Sequence, residues 1–292
     1  MTSTIVLHKH VLNAPDMIST PIRPAEEHCL LSLPAEIRLV ILEYVYGIDP
    51  KSVGFRNNAG SPGRILIDPD YSTHAKLRPL YVCRQMHQDG NLLAMRRTSF
   101  VINNLYTSIP ERLSALHLKQ IGAIRSITFV ADDRHLHKLR FWNDTPFGIQ
   151  NLNLDTLTIV LHRSSHWHYL FDFTGSLVTL LRQLRGVRRL IFVKNDARVK
   201  GSFKTWYNRL IGLIMKVDHR QRYMTEPAEL EKTWWTWSFD EVAQSFCLEA
   251  CASKPLVDEE SYMLEIQPLM EELRISVENE EYNPDPRVRN GA

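Results

Sequence analysis

Three β-rich segments constrain this chain most: Ile-Thr-Phe-Val at 127–130, Leu-Thr-Ile-Val at 157–160 and Leu-Ile-Phe-Val at 190–193, about 30 residues apart. A hairpin needs only a few connecting residues, whereas a spacing of about 30 leaves room for a helix in each crossover and predicts parallel strands. Two crossover helices are legible, over 110–121 and 174–185, and a turn with Arg125, Asp155 or Arg189 marks each strand. Three such units are about the minimum that buries a continuous core. The fold class expected is therefore α/β, with α+β as the alternative. The irregular repeats are similar to degenerate leucine-rich repeats lacking the asparagine ladder.

The flanks are of different character. Residues 1–28 carry Pro15, Pro21 and Pro24 without sustained periodicity and read as a lead-in with no signal-peptide apolar run. Leu33-Pro34-Ala35-Glu36-Ile37-Arg38 then opens a helix. Pro34 suits a first turn, where its missing N–H is not needed, and Glu36 meets the positive end of the helix dipole. Ile37, Val40, Ile41, Tyr44 and Val45 recur at helical spacing, and Gly47 is placed to stop the helix. Residues 47–76 are rich in Gly, Pro, Asn and Asp and hold one strand candidate, 64–67. A second helix is expected from Pro79 to about Arg96, with Leu80, Cys83, Met86, Gly90 and Leu93 on one face, followed by a strand at 100–102. Beyond the repeats the pattern predicts a helix over 203–217. Alternation of Trp235, Trp237 and Phe239, and of Phe246, Leu248 and Ala250, predicts a hairpin. An acidic helix over 255–273, disturbed by Pro268, and a tail close the chain.

The Leu-Pro-x-Glu-Ile-Arg opening with Ile41 and Tyr44 resembles the first helix of F-box domains. It is still more similar to a fungal F-box-like group, the "two-EXR" family, whose second motif resembles Tyr81-Val82-Cys83-Arg84-Gln85-Met86-His87. The Trp234–Trp237 segment is similar to tails of such proteins. The resemblance implies a three-helix module over 29–104, interrupted here by the insertion 47–76, that docks on the Skp1 adaptor of a cullin ubiquitin ligase. Leu33, Pro34, Ile37 and Ile41 would face that adaptor. The region 105–254, repeats plus hairpin, would present a substrate, with 255–292 as acidic helix and tail.

Chemistry-bearing residues gather after the predicted strands, at the edge where α/β folds place ligands. Asp132, Asp133, His135 and His137 follow the first; His162, His166 and His168 the second; Lys194, Asn195 and Asp196 the third. Their spacing matches no zinc signature, so polar loops or a protein-binding edge anchored by Trp142 and Trp167 are the readings preferred to a metal site. Cys247 and Cys251, without partner ligands, read as packing cysteines. Arg182, Arg185 and Arg189 read as lying on one helical face. The segment 182–204 holds eight basic residues and one acid, and 258–281 holds nine acids and Arg274. That pairing suggests either a solvated face, a polyanion patch, or a basic face covered by the acidic segment.

Composition narrows the rest. Apolar residues make up 44%, charged residues 23%, and the net charge is +2, which gives no general pull toward nucleic acid. No run approaches the roughly 18 apolar residues of a membrane span. Four scattered cysteines form no disulfide framework, which favours the cytosol or nucleus. No phosphate loop, nucleophile elbow or HExxH helix occurs. The expectation is a non-enzymatic protein-interaction module without cofactor or metal. Its alternatives are a scaffold unrelated to ubiquitin ligases or a protein using the basic segment on nucleic acid.

Overall fold

The computed structural model describes residues 30–46, 54–58, 60–163, 166–167, 170–199 and 202–282. The lead-in, Gly47 and the end of the tail lie outside them, as does His168.

A six-stranded sheet organises the chain. It contains β3 (Ser99–Ile102), β4 (Ser126–Ala131), β5 (Leu154–Leu161), β7 (Val187–Val193), β9 (Trp234–Asp240) and β10 (Ser245–Cys251), in the order β3-β4-β5-β7-β10-β9. The first four are parallel and sit side by side in chain order. β10 joins β7 antiparallel, and β9 closes the sheet as its hairpin partner. The parallel repeat and the hairpin are thus both present.

Alternation along each strand separates two faces. Ile127, Phe129, Leu157, Ile159, Leu190, Phe192, Phe246 and Leu248 enter one large core. Leu113, Ile121, Leu136, Leu177 and Leu181 from the crossovers pack into the same core. Strands that follow one another across a sheet with crossovers of one hand place every crossover helix on one face. The crossovers comprise α4 (Ile109–Ser114) and α5 (Leu118–Ala123), then α6 (Asp133–Lys138), then α7 (Thr174–Gln183). The single helix expected over 110–121 is two, because His117 caps α5 reciprocally with Gln120 and breaks the run. α8 (Phe203–Tyr223) runs beyond the expected 217, burying Phe203, Trp206, Tyr207, Leu210, Ile211 and Ile214. α9 (Glu259–Tyr282) packs on α8 and continues through Pro268.

The opposite face is covered at one end by a hairpin, β1 (Phe55–Asn58) and β2 (Ser61–Ile67), where one strand at 64–67 is expected from the sequence. Phe55, Ile65 and Ile67 pack on Val130, Val160 and Val193. Gly54, at φ +77, lets the chain approach Val101 so closely that a Cβ would lie 2.5 Å from its Cγ2.

α1 (Ala35–Tyr46) and α3 (Arg84–Arg97) form a smaller core of Leu42, Tyr46, Leu80, Met86 and Ala94. Pro79 belongs to a preceding 3-10 turn, Arg78–Tyr81, and Cys83 caps α3, so that helix starts later than expected. A Cβ on Gly90 would stand 2.9 Å from Leu42 Cδ1, so the glycine sets the closeness of α1 to α3. The insertion leaves this pair intact because its chain turns away to line the sheet.

Candidate functional site

α1 turns its residues in an unexpected sense. Its buried positions are Arg38, Leu42 and Tyr46, four residues apart and so on one face. Arg38 Nε donates to Asp89 Oδ2 at 2.8 Å, and its Nη1 donates to the Leu31 carbonyl and closely to that of Leu33. With its amide turned, Gln85 also accepts from this guanidinium at 2.9 Å. A single arginine thereby ties the approach to α1 onto α3. Five donors in a planar fork suit such multiple acceptance, which a lysine would not match.

The apolar stripe is left outward. Ile37 is 48% exposed, Val40 60% and Tyr44 87%, with Leu39 and Val45 also exposed. Pro34 is exposed, while Leu33 and Ile41 are half-buried. The charges on α1 besides Arg38 are Glu36 and Glu43, the latter paired with Arg97 at 3.1 Å. These large apolar side chains lie exposed side by side on one short helix, more concentrated than the scattered exposure most surfaces show. Pro34 and Ile37 are thus not buried against the repeats, and Ile41 is only partly covered.

Among the described residues, the strand-end groups are held by separate local contacts. Asp132 is buried and caps α6, accepting from the His135 backbone N–H and meeting His135 Nδ1 at 2.6 Å. Arg134 donates to its other oxygen at 2.8 and 2.5 Å. Burial alone would push this carboxyl up, but the hydrogen bonds from Arg134 and His135 outweigh it and hold the group below the ordinary range. Asp133 is exposed on α6. His162 is half-buried, its N–H continuing the ladder to Ala131, and His166 lies in the two-residue β6 (His166–Trp167), which pairs with β8 (Arg198–Val199).

At the third strand the hairpin closes the edge. Asn195 accepts from the Ile67 N–H at 2.9 Å and donates to the Leu161 carbonyl, and Asp196 pairs with Arg64 at 2.7 Å. Trp142 is buried, which removes it as an exposed anchor. Among the described residues no group of three or more His, Cys, Asp or Glu could hold a metal ion.

The three arginines are dispersed. α7 stops at Gln183, Leu184 turns to extended backbone, and Gly186 at φ +72 reverses the chain. Arg185 is exposed in the turn and Arg189 on the outer face of β7, so they share no helical face with Arg182. Arg182 is itself buried, donating to Asp218 Oδ1 at 2.6 Å and to the Glu229 carbonyl. Nor does the acidic helix cover them: its Glu259 meets His219 and its Glu265 meets Lys254.

Asp218 centres a buried polar network that periodicity does not reveal. Arg222 Nε and Tyr262 Oη donate to its second oxygen at 2.9 and 2.8 Å, and Arg222 Nη2 reaches Glu231 at 2.5 Å. Burial opposes ionisation of Asp218, yet hydrogen bonds from Arg182 and Tyr262 and the charge of Arg222 bring its pKa down. Burial pushes Glu231 up, with Asp218 adding to the rise. The one sequence signal for this cluster is the i, i+4 spacing of Asp218 and Arg222. No helix among the described residues is long and apolar enough to cross a membrane. No family model, curated protein or solved structure matches the chain.

Proposed function

We propose that the chain is a protein-interaction module that docks through the outward stripe of α1, with the Skp1 adaptor of a cullin ubiquitin ligase as its partner. The exposure of Pro34, Ile37, Val40 and Tyr44 on a helix anchored by Arg38 carries this reading. A helix held rigid from behind offers its apolar face at low ordering cost. The resemblance of the Leu-Pro-x-Glu-Ile-Arg opening to F-box helices selects the adaptor. The parallel sheet and its hairpin would then carry the substrate-presenting surface, and no catalytic role is assigned to the chain. A polyanion-binding role for Arg182, Arg185 and Arg189 has no common surface on which to act.

Co-purification with Skp1 tests the proposal, comparing wild type with Ile37→Glu and with Leu33→Ala/Pro34→Ala. Recovery with wild type and loss with Ile37→Glu, at unchanged thermal unfolding, is the expected outcome. Failure of folded wild type to recover Skp1 removes the ligase reading and leaves a scaffold for other proteins.

A further inference from the structure

The helix-covered face of the sheet, opposite the β1–β2 hairpin, holds a cavity near the end of β4. It lies beside β4 and α6, encloses about 310 Å³ against about 630 Å³ for the hollow between α8 and α9, and is bordered by Phe129, Trp142, Phe147, His135, Lys138 and Ser108. Ligand pockets begin at about 300 Å³. From these residues we propose that the cavity binds a small planar aromatic anion, such as an aromatic carboxylate.

The walls favour a flat ring. Phe129 and Phe147 meet edge to face with centroids 5.7 Å apart, and Trp142 lies tilted against Phe147 at 4.5 Å. Rings already disposed at steep angles offer both faces and edges, and a further ring extends the cluster by the same geometry. Phe147 is held at φ 55, a left-handed conformation that bulky side chains rarely adopt. Such backbone persists where its surroundings over-determine it, and it gathers at binding sites. Here it keeps the ring in the wall.

The polar groups favour a negative charge. Lys138 is exposed at the cavity and forms no ion pair with a described residue. Asp132, the buried acid closest in sequence to this site, is already matched by Arg134 and by His135 Nδ1, which also fixes the imidazole in place. Ser108 occupies the N-cap position of α4, but its hydroxyl makes no capping bond and is free to donate. Among the described residues, the acids on the flanking helices, Glu111 on α4 and Asp133 on α6, pair with no lysine. An aromatic ring among the phenylalanines with its carboxylate toward Lys138 and Ser108 satisfies both halves of the site.

Calorimetric titration of the full chain with naphthoate and with uncharged naphthamide tests this. Saturable one-to-one binding is expected, with the acid about three-fold tighter than the amide, the scale of one exposed ion pair. Lys138→Gln, at an exposed position, should erase that preference. Ser108→Phe, which fills the cavity, should abolish binding while thermal unfolding stays as in wild type. Absence of saturable binding, equal affinity for acid and amide, or binding that persists in folded Ser108→Phe, as it would if the ligand sat between α8 and α9, overturns the proposal.

Discussion

α1 and α7 are built from similar material and put it to opposite use. Each carries an apolar stripe and a buried arginine. α7 turns Leu177, Val178, Leu180 and Leu181 into the main core, and Arg182 follows them inward to meet Asp218. α1 buries Arg38 and Leu42 and leaves Ile37, Val40 and Tyr44 outside. The difference lies in what stands opposite. α7 has a sheet beneath it and α8 beside it, whereas α1 packs mainly on α3 and the turn before it, and Gly90 admits one leucine at the crossing. An apolar stripe thus identifies a helix but not the destination of its face.

Substitutions in the two helices sharpen that contrast. The largest loss is expected at the α7 side, where Asp218→Ala would strand Arg182 and Arg222 in the interior. Removing one member of a buried charge cluster costs about 3–5 kcal/mol, readable by denaturant titration. Leu181→Ala should cost about 2–5 kcal/mol by leaving a core cavity. Arg38→Met should cost about 1.5–3 kcal/mol, since it removes hydrogen bonds between charged groups and leaves Asp89 only partly solvated. If Arg38→Met proved neutral, the arginine would not be what anchors α1. Ile37→Ala should stay within about 0.5 kcal/mol of wild type, as an outward side chain requires. A loss comparable to Leu181→Ala would show that the stripe is covered after all.

Acid should separate the regions as well. The folded pKa of Asp218 is depressed, so its contribution to stability is present above the ordinary aspartate value of 3.8 and is lost as pH falls through the lower, folded value. Asp132 acts in the same direction. Glu231, raised in the fold, acts oppositely: its contribution is greatest below the ordinary 4.5 and fades as pH rises through the folded value. Unfolding free energy measured against pH should therefore fall steeply on the acid side below about 4. Asp218→Asn should flatten that limb, and an unchanged limb would exclude Asp218 as its source.

Much of the sheet is legible from residues alone. Short β-branched runs at a spacing too long for hairpins specify parallel pairing, and strict alternation in 235–239 and 246–250 specifies the terminal hairpin, because a period of two suits no other structure. The candidate edge was harder to read. Asp132 and His135 sit where an α/β sheet ends, but nothing local says that Asn195 and Asp196 will be taken up by β2, about 130 residues earlier in the chain. The arginine face failed for a local reason: a helix over 174–185 assumed continuity that Leu184 and Gly186 break.

The sequence by itself determined the elements of this protein, since helix and strand periods, proline at a first turn and alternation act over a few residues. Only the tertiary structure decided which faces are spent on the core. Burial depends on what arrives from elsewhere in the chain, and so Arg38 went inward, the isoleucine stripe stayed outward, and the insertion after α1 went to the far side of the sheet.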